Sequence, residues 1–149
     1  MNRIRPWLYI GKYRDTTDQF LLEVHQVGAM LQLAELFEQP GIVTLYLAVD
    51  DGVTISPELL KRGIDFVKSN HKAGRKTLVA CGAGISRSAA FVIASLMEIE
   101  QLSLLEAYRE VKLHHNEAMP HPALWLSLCK YYNEEIAFSE VIGNHQEKH

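Results

Sequence analysis

The sequence predicts an α/β fold: a single compact domain with a mostly parallel central sheet flanked by helices on both faces. Three observations predict it. Short apolar runs of strand length alternate with longer helical patterns, the order that builds parallel sheets with helical crossovers. One such run, Lys76-Thr77-Leu78-Val79-Ala80, passes through a short glycine-containing loop into an apolar helix from Ala89 to Met97. The 149 residues, 48% hydrophobic and 22% charged, suffice for one core and are ordinary for a globular domain.

The elements follow in order. Residues 7–11 read as a strand closed by Gly11, and Thr16 to Val27 as a helix with Phe20, Leu21 and Val24 on one side. Ala29 to Leu33 is a second strand, and Glu35 to Glu38 a helical turn stopped by Gln39-Pro40-Gly41. Ile42 to Val49 is a strongly apolar strand that runs into the turn Asp50-Asp51-Gly52. Ser56-Pro57-Glu58 opens a helix, with Ser as cap and Pro at the first helical position. Leu60, Ile64 and Val67 mark its inner face and Gly74 ends it. Beyond the helix from Ala89, Ser103-Leu104-Leu105-Glu106 matches a capping box for a helix reaching about His115. Pro122 or Ala123 starts the last helix, with Leu124, Leu128 and Tyr131 or Tyr132 inward. The whole chain, 1–149, reads as one domain with a core of about 4–136 and a polar tail of about 139–149.

Cys81-Gly82-Ala83-Gly84-Ile85-Ser86-Arg87-Ser88 carries the chemistry. It turns sharply at a helix N-terminus, where free N–H groups and the positive end of the helix dipole favour an oxyanion. Gly82 and Gly84 allow successive amides to point into one concavity. Those amides, the helix terminus and a guanidinium all favour the thiolate of Cys81, the form that attacks. Arg87 offers a planar fork matching two phosphate oxygens, and Ser88 can donate a hydrogen bond to the sulfur. The predicted site therefore has Cys81, Arg87 and Ser88 in catalysis, with residues 82–87 (Gly82, Ala83, Gly84, Ile85, Ser86 and Arg87) binding phosphate. Asp50 or Asp51 is the candidate general acid, since each follows a strand that should end near this loop.

Other features carry less. His114, His115 and His121 have no cysteine or carboxylate at zinc-ligand spacing and read as polar helix-end residues. Cys129 reads as a packed thiol, and Trp125, Tyr131 and Tyr132 as packing aromatics. Arg14 to Asp18 reads as a capping segment or a pocket rim. A net charge of −3 and a pI of about 6.1, without a basic block, argue against nucleic acid or an anionic membrane surface as partner. Two cysteines make no disulfide framework, and a reactive thiol needs reducing surroundings. Met1 to Pro6 has no signal-peptide apolar segment and no run approaches transmembrane length, so a cytoplasmic protein without membrane insertion is expected. Oligomeric state leaves no mark on the sequence.

The pattern Cys-x-x-Gly-x-x-Arg-Ser, between this strand and this helix, resembles the active-site loop of the dual-specificity branch of the cysteine-dependent protein tyrosine phosphatases. Trp7-Leu8-Tyr9-Ile10-Gly11 is similar to that domain's opening strand, and Pro120-His121-Pro122-Ala123-Leu124 resembles its Pro-Asn-x-Gly-Phe segment, keeping only the proline. Asp50, 31 residues before Cys81, stands where the family carries its general acid. The resemblance spans about residues 4–136. It implies a tyrosine-phosphatase-like fold and a cysteinyl-phosphate mechanism on phosphotyrosine and phosphoserine or phosphothreonine proteins, with no cofactor or metal. The family's histidine before the cysteine is replaced by Ala80, which leaves the amides, the helix terminus and Arg87 to keep Cys81 ionised. Two alternatives stand beside this reading. One is a phosphoinositide or RNA 5′-phosphatase, disfavoured by the uncharged residues 82–86; the other is a non-catalytic phosphate-binding module.

Overall fold

A computed structural model of the protein describes residues 1–141. Five strands form one sheet in the order β1-β2-β5-β3-β4. These are β1 (Asn2–Arg5), β2 (Leu8–Lys12), β3 (Val27–Gln32), β4 (Val43–Tyr46) and β5 (Lys76–Cys81). Only β1 runs antiparallel to its neighbour; the other pairs are parallel. The helices flanking the sheet are α1 (Tyr13–Thr16), α2 (Gln19–Val24), α3 (Pro57–Lys72), α4 (Arg87–Glu100), α5 (Leu104–His114) and α6 (Pro122–Tyr131).

Alternation along the strands separates two apolar layers. Leu8 and Ile10, Leu31 and Leu33, and Val79 and Cys81 face the larger core, against Leu60 and Ile64 of α3, Phe91 of α4, Leu104 of α5 and Leu124 of α6. Tyr9, Met30, Leu78 and Ala80 face the other side, where Leu22 of α2 covers them. Both faces are thus covered, the second by short helices. Gly63 lets α3 approach α4 closely, because a Cβ there would lie 2.3 Å from the Phe91 ring. Trp125 is buried edge-on to Tyr108 at 5.6 Å, and its ring N–H donates to the Ile136 carbonyl. Cys129 is buried nearby, where desolvation pushes its thiol pKa up.

Four readings change. The helix expected over 16–27 is confined to α2: α1 ends at Thr16, Asp18 caps α2 through the Leu21 N–H, and Gln26 stands past its end in the left-handed region at φ 57°. The face of Phe20 and Val24 points to solvent and Leu22 is the buried residue. Residues 35–38 form no helical turn, because the buried Gln32 amide holds both the Phe37 N–H (2.6 Å) and its carbonyl (2.7 Å). The strand expected from Ile42 to Val49 is regular only over β4. Past it, Leu47 and Val49 stay attached through N–H bonds to the Gln32 and Leu33 carbonyls. The edge strand β1 was not foreseen, since Ile4 is its only large apolar residue and pairing with β2 creates it. At the other end packing continues beyond 136, with Val141 buried in the main core. The rest of the expected polar tail, 142–149, lies outside the described residues.

No single helix among the described residues is long and apolar enough to cross a membrane. The central strand β5 is flanked by β2 and β3, and its carboxyl end opens into the crevice where such sheets bind ligands.

Candidate active site

Cys81 ends β5 with its side chain turned into the main core, 2% exposed. Its Sγ lies 3.1 Å from Ser88 Oγ, which stands in the first turn of α4 and is fully buried. Between them residues 82–86 form the loop. The Gly82 carbonyl accepts from the Tyr13 N–H at 3.4 Å, tying the loop to the end of β2. Gly84 adopts φ 72°, and a Cβ there would fall 2.8 Å from the Gly11 carbonyl oxygen. Both facts require glycine: the conformation is left-handed, and the loop backbone rests directly on β2. The half-buried Arg87 donates to the Val49 carbonyl at 2.9 Å. Its other terminal nitrogen would lie 3.0 Å from a Cβ on Gly82, so the guanidinium reaches over the start of the loop.

The helix terminus itself is left uncapped. Ser56, Ser103 and Asp18 each accept a first-turn N–H of their own helix. Ser86, at the same position of α4, makes no such bond. Its hydroxyl instead donates to Asp51 Oδ1 at 2.7 Å and accepts the His121 N–H at 2.8 Å. The first-turn amides of α4 stay free, with the dipole behind them, which is the arrangement an oxyanion requires.

The two candidate acids part company here. Asp51 is anchored to the 82–86 loop by Ser86. Asp50 is exposed and directly follows Val49, the residue that holds Arg87. The histidines also separate. His114 is exposed, its Nδ1 3.0 Å from the Glu110 carbonyl oxygen, as expected of a helix end. His115 is 7% exposed and its Nε2 lies 2.8 Å from the Gly84 carbonyl oxygen. His121 sits at the N-terminus of α6, where Nδ1 accepts the Ala123 N–H at 3.0 Å. His115 does end α5, as its C-cap, but it is buried against the loop instead of facing solvent. No sequence signal marked it, since its partner is 31 positions away. Among the described residues no cluster of His, Cys, Asp or Glu could hold a metal ion. Asp15 and Asp18 serve as caps, Asp15 through the Lys12 N–H, which supports the capping reading of that segment.

Comparison with known proteins agrees with this geometry. The family described as dual specificity phosphatase, catalytic domain, matches residues 8–134. Human dual specificity protein phosphatase 16 is 35% identical over 116 residues, covering 74% of this chain and 17% of that protein. Human dual specificity protein phosphatase 22 is 28% identical over 139 residues, covering 91% of this chain and 76% of that protein. The chain spans about a third or less of the length of the first curated relatives it matches. Among solved structures, human DUSP28 superposes with a TM-score of 0.83 at 28% identity, covering 89% of this chain and 96% of that one. Agreement from β2 to beyond α6 leaves one conclusion: the chain belongs to the dual specificity phosphatase family.

Proposed function

We propose that the protein is a phosphomonoester hydrolase acting on phosphotyrosine and phosphoserine or phosphothreonine side chains through a cysteinyl-phosphate. The observation that carries this reading is the buried Cys81 Sγ, 3.1 Å from Ser88 Oγ, at the foot of an uncapped helix N-terminus. The Cys81 thiolate attacks phosphorus in line, forming the S–P bond as the bond to the leaving oxygen breaks. The loop amides and the Arg87 fork hold the equatorial oxygens, where charge redistributes in the transition state. Asp50 delivers its proton to the leaving oxygen. In the second step Asp50 takes a proton from water, water attacks phosphorus, and the sulfur leaves as a thiolate stabilised by the Ser88 hydroxyl. The uncharged residues 82–86 support a single-phosphate ligand over a phosphoinositide or RNA 5′-end. A thiol nucleophile needs reducing surroundings, which supports the cytoplasm.

Hydrolysis of p-nitrophenyl phosphate and of phosphotyrosyl and phosphothreonyl peptides tests the reading. Cys81→Ser should lower kcat by at least ~10³-fold while still binding vanadate or phosphate. Arg87→Lys should lose roughly 10²–10³-fold, because a point charge cannot replace the fork. Turnover near wild type in Cys81→Ser would reject covalent catalysis by this thiol. Binding without turnover in the wild type would make the protein a phosphate-reading module.

A further inference from the structure

We infer that His115 is a positioning residue that holds the phosphate loop in its amide-inward form, with Asn2 setting its tautomer; this rests on reading residues 81–88 as the catalytic loop. The Gly84 carbonyl can only accept, so His115 Nε2 carries the proton across the 2.8 Å contact. Nδ1 is then the acceptor for the Asn2 side-chain amide at 2.6 Å. Both ring nitrogens are thus engaged, and the ring is fixed between the edge strand and the loop.

Planarity makes this bond a device for aiming amides. In a trans peptide the C=O and the following N–H point in opposite directions. Holding the Gly84 carbonyl outward turns the Ile85 N–H to the inner side of the loop. The next peptide is treated the same way. The Met119 N–H takes the Ile85 carbonyl at 2.9 Å, which turns the Ser86 N–H inward. One short segment after α5 therefore clamps two consecutive carbonyls from behind. His115 supplies the only side chain of that clamp, and the Ala118 N–H bonded to the His115 carbonyl keeps the segment folded at 2.9 Å. Contact with Gly11 of β2 fixes where the loop backbone lies, and the pocket of about 130 Å³ beside it, lined by Asn2, Gly11, Gly84 and His115 among others, leaves room for the peptide to turn. The hydrogen bond decides which way the peptide faces.

The test compares the wild type with His115→Ala, His115→Gln and Asn2→Ala. Each is measured for kcat and KM on p-nitrophenyl phosphate, for vanadate binding by calorimetry, and for Tm. His115→Ala should lower kcat roughly 10–100-fold, the scale of a misplacement of about 1 Å, and weaken vanadate by a similar factor, with KM changing less. His115→Gln, which keeps an N–H for the Gly84 carbonyl, should recover most of both losses. Asn2→Ala should move kcat and vanadate affinity the same way by a few-fold, with no further effect in the His115→Ala background. A folded His115→Ala with unchanged kcat and vanadate affinity would overturn the inference, as would a Gln variant no better than Ala. Should His115→Ala not fold, unchanged values in Asn2→Ala and loss in His115→Gln would overturn it equally. If the wild type has no turnover, the phosphatase reading fails by itself, and vanadate binding across the variants still decides the brace.

Discussion

At the residue scale, the contrast between Asp50 and Asp51 is the most open to experiment. Asp51 is fastened to Ser86 and Asp50 is exposed beside the residue that anchors Arg87. Asp50→Asn should slow hydrolysis of phosphoserine-type substrates by ~10²–10⁴-fold, and activated aryl phosphates far less, because a good leaving group needs little proton assistance. Asp51→Asn keeps an oxygen to accept the Ser86 hydroxyl and should change kcat little. The reverse pattern in leaving-group dependence would move the acid by one residue. Gly84 gives a second test. Alanine there meets both φ 72° and the Gly11 carbonyl at 2.8 Å, so the loop must shift. Gly84→Ala should cost about 1–3 kcal/mol in urea unfolding and lower kcat by roughly 10².

At the element scale, helix caps divide into those that stabilise and the one that is withheld. Ser103 and Glu106 form a reciprocal box at the start of α5, which also holds the Glu106 carboxyl below its ordinary pKa. Ser103→Ala should cost about 1 kcal/mol, read as a Tm fall of about 2–4 °C with kcat unchanged. Ser86→Ala should do the opposite. It removes no cap from α4, so its Tm should hold within about 2 °C. It cuts the tie between the 82–86 loop, Asp51 and the start of α6, so kcat should fall roughly tenfold. Equal effects of the two substitutions on Tm would show that Ser86 caps α4 after all. The segment after β3 teaches a related lesson: Glu35 to Glu38 has helical composition, yet one buried amide, Gln32, takes both polar groups of Phe37 and holds the segment out of a helix.

For the whole molecule, a bidentate pair ties the first strand to the helical layer. Arg5 donates to Glu100 at 2.6 and 2.8 Å and reaches Glu110 at 2.9 Å, joining β1 to α4 and α5. The guanidinium holds the Glu100 carboxyl below its ordinary range, and the carboxylates push the Arg5 pKa up. A depressed carboxyl adds stability above its unfolded pKa of about 4.3, and that stability is lost as pH falls through the folded value. Arg5→Ala should therefore cost about 1–2 kcal/mol at pH 7, and the gap to wild type should close on acidification below about pH 4. A gap independent of pH would assign the loss to packing of the arginine stem. The sequence by itself determined the layered α/β order, four of the helix starts, α3 to α6, and the make-up of the 81–88 loop. These depend on neighbours along the chain: apolar period, caps, and a cysteine, glycines, arginine and serine within eight positions. Only the tertiary structure decided that β1 pairs at all, that α2 turns Leu22 and not Phe20 inward, and that Ser86 serves Asp51 instead of its helix. It also decided that His115 backs the loop and that the Val49 carbonyl seats Arg87. Each of these joins groups more than 30 positions apart or depends on which face a neighbouring strand leaves open. Such pairings leave no period or motif in the chain, because the partner's position exists only once the sheet has formed.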